Sequence, residues 1–293
     1  MAEARVLPDG ARRAKAQARG VRARRAGGRL AHLALAGFCW VVVAFLLSPI
    51  VVTVGAAFTA SDYVAFPPQG LSLKWFRAAF ANPEFVSGFW ASLLLAALNA
   101  LLATTLGMLA AFGLARYRFP GRDAVMTFLL SPLMLPAIVL GVAMLQFLAA
   151  VGLLGTLPGV LLGHLLITVP YAIRLVGVSL TGFEWDLNRA ALGLGARPAR
   201  ALWEVVLPVI RPGLAAAATF AFIMSFDEVT ISLFTTGPQF NTLPAIVFRW
   251  VEYSYEPVIA AVSALTILIA MASVVVIEFT LGVERVFGRR GRV

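Results

Sequence analysis

Residues 182–213 read GFEWDLNRAALGLGARPARALWEVVLPVIRPG, a polar, Gly- and Pro-punctuated segment between two apolar runs each long enough to cross a bilayer. A membrane chain that keeps a structured, charged loop at such a place offers it to something in the adjacent water. Asp186 or Asn188 is placed to cap a helix beginning near Leu187. The run Arg189 to Leu192 favours helix, and Gly195 is placed to end it in a left-handed conformation. Pro198 suits the first turn of a second helix over 199–207, which Pro208 stops. On that second helix Leu202, Val205 and Val206 form an apolar stripe, and Arg200 and Glu204 stand at i, i+4 on a neighbouring face. Such an element suits a groove on a partner, with apolar anchors and a charged rim.

Working outward, the composition fits only a polytopic membrane protein: 60% of the 293 residues are hydrophobic, 13% are charged, and the mean hydropathy is +0.89. A soluble domain could not hide that much apolar surface. Six bilayer-crossing helices are predicted, at 30–57, 87–115, 124–149, 159–181, 214–236 and 257–282. With the N-terminus cytoplasmic, only Lys74, Arg77 and Arg249 of the 24 basic residues fall outside the cytoplasmic segments. This is a positive-inside pattern with both ends in the cytoplasm, so the net charge of +10 encodes orientation, not a nucleic-acid partner. Residues 1–29, rich in Arg, Ala and Gly, are expected to form a disordered cytoplasmic tail beside anionic headgroups. The membrane domain, with the 182–213 loop inside it, is assigned to 30–282, and a second basic cytoplasmic tail to 283–293. The run from Leu30 is too long for the apolar core of a cleavable leader.

No Gly-rich phosphate loop, metal-ligand cluster or nucleophile elbow is present in the sequence, so neither a catalytic nor a metal site is expected. The lone Cys39 lies in the first apolar run and reads as a packing residue. Between the first two spans, Pro67, Pro68 and Gly70 break the chain, and Trp75, Phe76, Ala79 and Phe80 then recur at helical spacing. They suit a short amphipathic helix at the outer interface. Asn99 and Gln146 are expected to hydrogen-bond across helices, Thr104, Thr105 and Gly107 to allow close packing, and Pro132, Pro136 and Pro170 to kink helices. His164 reads either as a satisfied packing residue or as a proton sensor.

The loop resembles the inner-membrane permease subunits of ABC importers. Their signature there is Glu-Ala-Ala, three residues, Gly, nine residues, then Ile-x-Leu-Pro; the matching positions are Arg189, Ala190, Ala191, Gly195, Val205, Leu207 and Pro208, at identical spacing. The resemblance implies an all-α membrane fold of the type I importer class with six transmembrane helices, located in the bacterial inner membrane. It also implies that Arg189, Ala190, Ala191, Gly195, Leu202, Val205, Leu207 and Pro208 belong to coupling helices seated in a cleft of a cytoplasmic ATPase. Implied partners are a second homologous permease, two ATPase subunits that bind ATP and Mg²⁺ in place of this chain, a periplasmic solute-binding protein and the bilayer. Arg189 reverses the charge of the family's glutamate: either the ATPase presents an acid to it or the position is solvated.

A second block, SFDEVTISLFTTGPQFNTLPAIVFRWVEYSYEPVIAAVSALTI at 225–267, is similar to the spermidine/putrescine branch, as is LKWFRAAFANPEF in the first outer loop. A polyamine is the expected solute; an opine, phosphonate or amino-acid-like solute, or a standalone secondary transporter, are the alternatives. Asp227 lies about 20 Å along a helix entering at Gly213, at or beyond the middle of the hydrocarbon slab. Carboxylates at that depth face an aqueous cavity or a partner charge. Either Asp227 and Glu228 line a path for a cationic substrate, or the helix breaks near Ser225 and the pair caps a re-entrant turn or meets an arginine of the second permease.

Overall fold

The computed structural model describes residues 9–254 and 256–281; the expected basic tail at 283–293 lies outside the described residues. The chain divides into two units, one ending at Gly55 and the other beginning at Ala56.

From Asp9 the described part of the first unit is one helix, α1 (Asp9–Ala57), whose last two residues belong to the second. The segment expected to be disordered is therefore helical from Asp9 onward, as its content of Ala and Arg, both strong helix formers, permits. Leu33–Ala57 is apolar enough to cross a membrane. Pro49 lies inside this helix and cannot donate to the Phe45 carbonyl, and the Ser48 hydroxyl donates to that same oxygen at 2.7 Å. Side-chain satisfaction of a freed carbonyl is what lets proline stay in a helix within lipid.

In the second unit, α2 (Lys74–Ala81) is the expected amphipathic helix, tied to the preceding loop by an Asp62–Lys74 ion pair at 2.7 Å and by Trp75 Nε1 donating to the Ser61 carbonyl. Asn82 caps α3 (Pro83–Arg116) through its side chain, which accepts from the Glu84 backbone N–H at 2.9 Å. α3 packs against α6 (Leu157–Thr181) and α9 (Leu207–Phe226), and these three form the centre of the bundle. Small residues set their spacing. A Cβ at Gly107 would stand 2.9 Å from the carbonyl carbon of Ala172, and one at Gly213 would press on Ser179 and lie 3.2 Å from the Leu175 carbonyl oxygen. Asn99 does bond across helices, its amide donating to the Ala221 carbonyl at 3.0 Å and its oxygen accepting from Thr168.

The third predicted span, expected at 124–149, is broken. α4 (Arg122–Leu130) runs through a 3₁₀ turn at Ser131–Met134 and bends by 102° into α5 (Ala137–Ala150). Leu135, held extended at ψ 141° because Pro136 follows it, makes the corner. The fifth predicted span, 214–236, is also two pieces: α9 ends at Phe226 and α10 (Thr230–Thr235) resumes after a break. A second amphipathic helix, α11 (Leu243–Tyr253), precedes α12 (Val258–Leu281). Among the described residues, four helices can each cross a membrane by length and composition, the bent pair counted as one span makes five, and Val258–Ser273 of α12 is a further, shorter apolar segment.

Candidate functional site

The residues singled out by the sequence gather at two places, and α9 joins them. At the end of the bundle that bears the basic loops, α7 (Trp185–Gly193) begins two residues earlier than expected, and neither Asp186 nor Asn188 caps it. Asp186 sits in the first turn and accepts from Arg189 Nε at 2.9 Å; Asn188 is buried. Arg189 thus finds its acid one turn back in its own helix. α7 closes as expected: Gly195 takes φ +88° and Ala196 N–H donates to the Ala191 carbonyl at 3.1 Å. Trp185 fastens the helix to the bundle, its ring 5.8 Å from Phe112 and 5.1 Å from Phe183 between centroids, with Arg116 over it at 5.5 Å.

The second loop helix does not stop at Pro208. α8 (Pro198–Ala201) passes through one π turn, Leu202–Val206, directly into α9, so Pro198–Phe226 is one continuous helical run. Pro208 has no N–H for the Glu204 carbonyl, and the wider turn, in which Leu207 N–H donates to the Leu202 carbonyl, carries the helix past it. Arg200 and Glu204 pair at 2.9 Å as their spacing requires.

The apolar stripe points the other way from the expectation. Val206 is fully buried, and Leu202, Val205 and Leu207 pack against the core of Ile173, Val176 and Ile210. The apolar side chains that this loop exposes are instead Leu194, 90% exposed, Trp203, 71% exposed, and Leu187; Arg189 and Ala190 are exposed as well. The sequence reading missed Leu194 and Trp203; the available signal was a tryptophan and a Gly-flanked leucine in an otherwise polar loop.

At the other end of α9 the helix terminates where Asp227 N–H donates to the Ile223 carbonyl at 3.1 Å. Glu228 Oε1 accepts the Ile231 backbone N–H at 2.9 Å and so closes the first turn of α10. His164 of α6 ties the two sides of the break together, with Nδ1 2.8 Å from Ser225 Oγ and Nε2 3.0 Å from Ser232 Oγ. The imidazole is fully buried and satisfied at both nitrogens. α10 lies tightly on α5 and α6 because Gly141 faces Phe234 and Gly163 faces Ile231.

The acidic pair is therefore divided. Asp227 is exposed, has no cationic partner among the described residues, and lines two neighbouring cavities of about 220 and 290 Å³. Thr266 and Ile267 of α12 line both; Phe222 and Phe226 wall one and Phe248 the other. The geometry suits an alkyl ammonium group: one carboxylate, a hydroxyl, and aromatic rings.

The family model for binding-protein-dependent transport system inner membrane components matches residues 103–290. The spermidine/putrescine transport system permease protein PotC of Escherichia coli strain K12 is 30% identical over 248 residues, covering 85% of this chain and 93% of its own. The Haemophilus influenzae protein of the same name is 32% identical over 238 residues, covering 81% and 92%. Among solved structures, a chain of a bacterial ABC transporter for the acidic polysaccharide alginate superposes with a TM-score of 0.69 at 14% identity, covering 90% of this chain and 98% of that one. A chain of the inward-facing MetNI methionine ABC transporter gives 0.56 at 20% identity, covering 67% and 94%. These structural likenesses speak for the fold.

Proposed function

Because this chain belongs to the binding-protein-dependent transport system inner membrane component family, we propose that it forms half of an ATP-driven path for a polyamine such as spermidine or putrescine, with Asp227 as the carboxylate that meets the cationic solute. It is a multi-pass protein of the bacterial inner membrane and the permease subunit of an ABC importer. The observation that carries the solute reading is the unpaired Asp227 carboxylate at the break between α9 and α10, facing two aromatic-walled cavities. The relatives' names support the same solute class.

In the working importer a second, homologous permease completes the path, a periplasmic binding protein delivers the solute, and two cytoplasmic ATPases bind ATP and Mg²⁺. The ATPase seats on the outward face of the 185–208 loop, with Leu194 and Trp203 as apolar anchors and Arg189, Ala190, Ala191 and Gly195 shaping the turn they stand on. Leu202, Val205, Leu207 and Pro208 act from behind, as the packed root of that surface. Since Pro198–Phe226 is one helical run, displacement of the loop is carried along α9 to the residues flanking Asp227. The reading is tested by uptake of radiolabelled spermidine into proteoliposomes containing the assembled importer. Competition by putrescine, and none by neutral or anionic solutes, is the expected result; competition by an amino acid or phosphonate in preference to polyamines would overturn it.

A further inference from the structure

We propose that the cavity between the α3–α4 turn, α6 and the start of α7 binds the headgroup of an anionic phospholipid, with Arg122 and Arg174 as its phosphate ligands. The cavity encloses about 570 Å³ and is lined by Arg122 and Arg174 together with apolar side chains that include Leu114, Met126, Ile173 and Trp185. Arg122 is already oriented: its Nε donates to the Leu114 carbonyl at 2.7 Å, which leaves its two terminal nitrogens for another acceptor. Arg116 stands close by, over the ring of Trp185. Among the described residues none of these three arginines is paired with a carboxylate.

Arg122 and Arg174 stand exposed on the lining of an otherwise largely apolar cavity, so an anion with an apolar body complements both the charge and the floor. Guanidinium groups match a phosphodiester in geometry as well as in charge. Arg116 and Arg122 flank the turn at the end of a membrane-spanning helix, the depth at which anionic headgroups of the basic-loop side lie, and basic pockets between helices on that side are suited to them. Gly177 lines the same cavity, and a Cβ built there meets nothing within 4 Å, so the cavity wall is open beside the charges. A lipid so held touches both the α3–α4 turn and Trp185, the first residue of α7. This assignment is independent of which solute is carried.

The test counts phosphatidylglycerol retained by the assembled importer, permeases with ATPases, purified in mild detergent from a phosphatidylglycerol-containing membrane and examined by native mass spectrometry. Arg174→Ala is expected to lower retention about fivefold, the worth of one arginine near a headgroup. Gly177→Leu, which intrudes into the cavity and leaves every arginine in place, is expected to lower it at least as far. Arg118→Ala, on the same turn but outside the cavity, is expected to leave it unchanged. Retention unaltered by both cavity variants, an equal loss with Arg118→Ala, or equal retention of phosphatidylcholine would overturn the proposal. So would full displacement of the lipid by millimolar inorganic phosphate, which would assign the site to a soluble anion.

Discussion

Glu228 Oε1 accepts the backbone N–H of Ile231 at 2.9 Å, while the adjacent Asp227 faces two cavities. Two neighbouring carboxylates thus have different surroundings, one tied into a helix turn and one open to the cavities. Glu228→Gln keeps an acceptor oxygen and should transport polyamine at close to the wild-type rate. Glu228→Ala loses the cap and should lower the stability of the assembled importer by ~1 kcal/mol. Thermal unfolding followed alongside uptake checks both; a Glu228→Gln variant that assembles but does not transport would contradict the division of roles.

His164 joins Ser225 to Ser232 across the break. His164→Leu leaves two buried hydroxyls without partners, at a cost of roughly 1–3 kcal/mol for each such group. Adding Ser225→Ala and Ser232→Ala to His164→Leu should return part of the lost stability, because the orphaned groups are then gone. Losses that simply add, read from thermal midpoints of the three combinations, would count against this latch.

The loop has an inner and an outer apolar face, and they should respond differently. Trp203→Asp, at an exposed site, is expected to release the ATPase while the permease remains folded. Val206→Asp, at a site with no exposure, buries an unpaired charge at a cost of several kcal/mol and should lose the permease itself. Co-purification of ATPase and the yield of folded permease separate the two outcomes. A Trp203→Asp variant that retains ATPase at full stoichiometry would contradict the assignment of the outer face.

Close packing at the centre of the bundle is equally specific. Gly107→Val forces a Cβ to within 2.9 Å of the Ala172 backbone and should destabilise by more than about 2 kcal/mol. Gly113→Ala, where a Cβ meets nothing within 4 Å, should be tolerated or gain up to ~1 kcal/mol from helix propensity. Equal behaviour of the two variants in thermal unfolding would refute the packing account.

Much of this architecture is legible in the residues, and the failures have physical causes. Hydropathy locates apolar stretches but is blind to a break when both halves are apolar, so it draws one span over α4 and α5 and one over α9 and α10. The local chemistry reads the corners: the kink expected at Pro136 is the 102° bend, and the break expected as an alternative near Ser225 falls after Phe226. Gly195 was readable because a positive φ calls for glycine. Pro208 misled because one π turn carries the helix past a proline that would otherwise end it. The same turn defeats the stripe argument: Leu202, Trp203, Val205 and Val206 are all apolar, and periodicity alone does not tell which of them face inward. For Arg189 the sequence left a partner's acid or solvation; Asp186, three residues earlier, supplies an acid while the side chain stays exposed.

The central claim is that Asp227 meets the cationic solute, and ATP-driven spermidine uptake by proteoliposomes of the complete importer carrying Asp227→Asn tests it most directly. A hydrogen bond to a charged group is worth ~1.5–3 kcal/mol, so the account predicts a KM for spermidine raised about tenfold or more, with assembly and basal ATP hydrolysis retained. Unchanged KM and maximal rate in a normally assembled complex would contradict it.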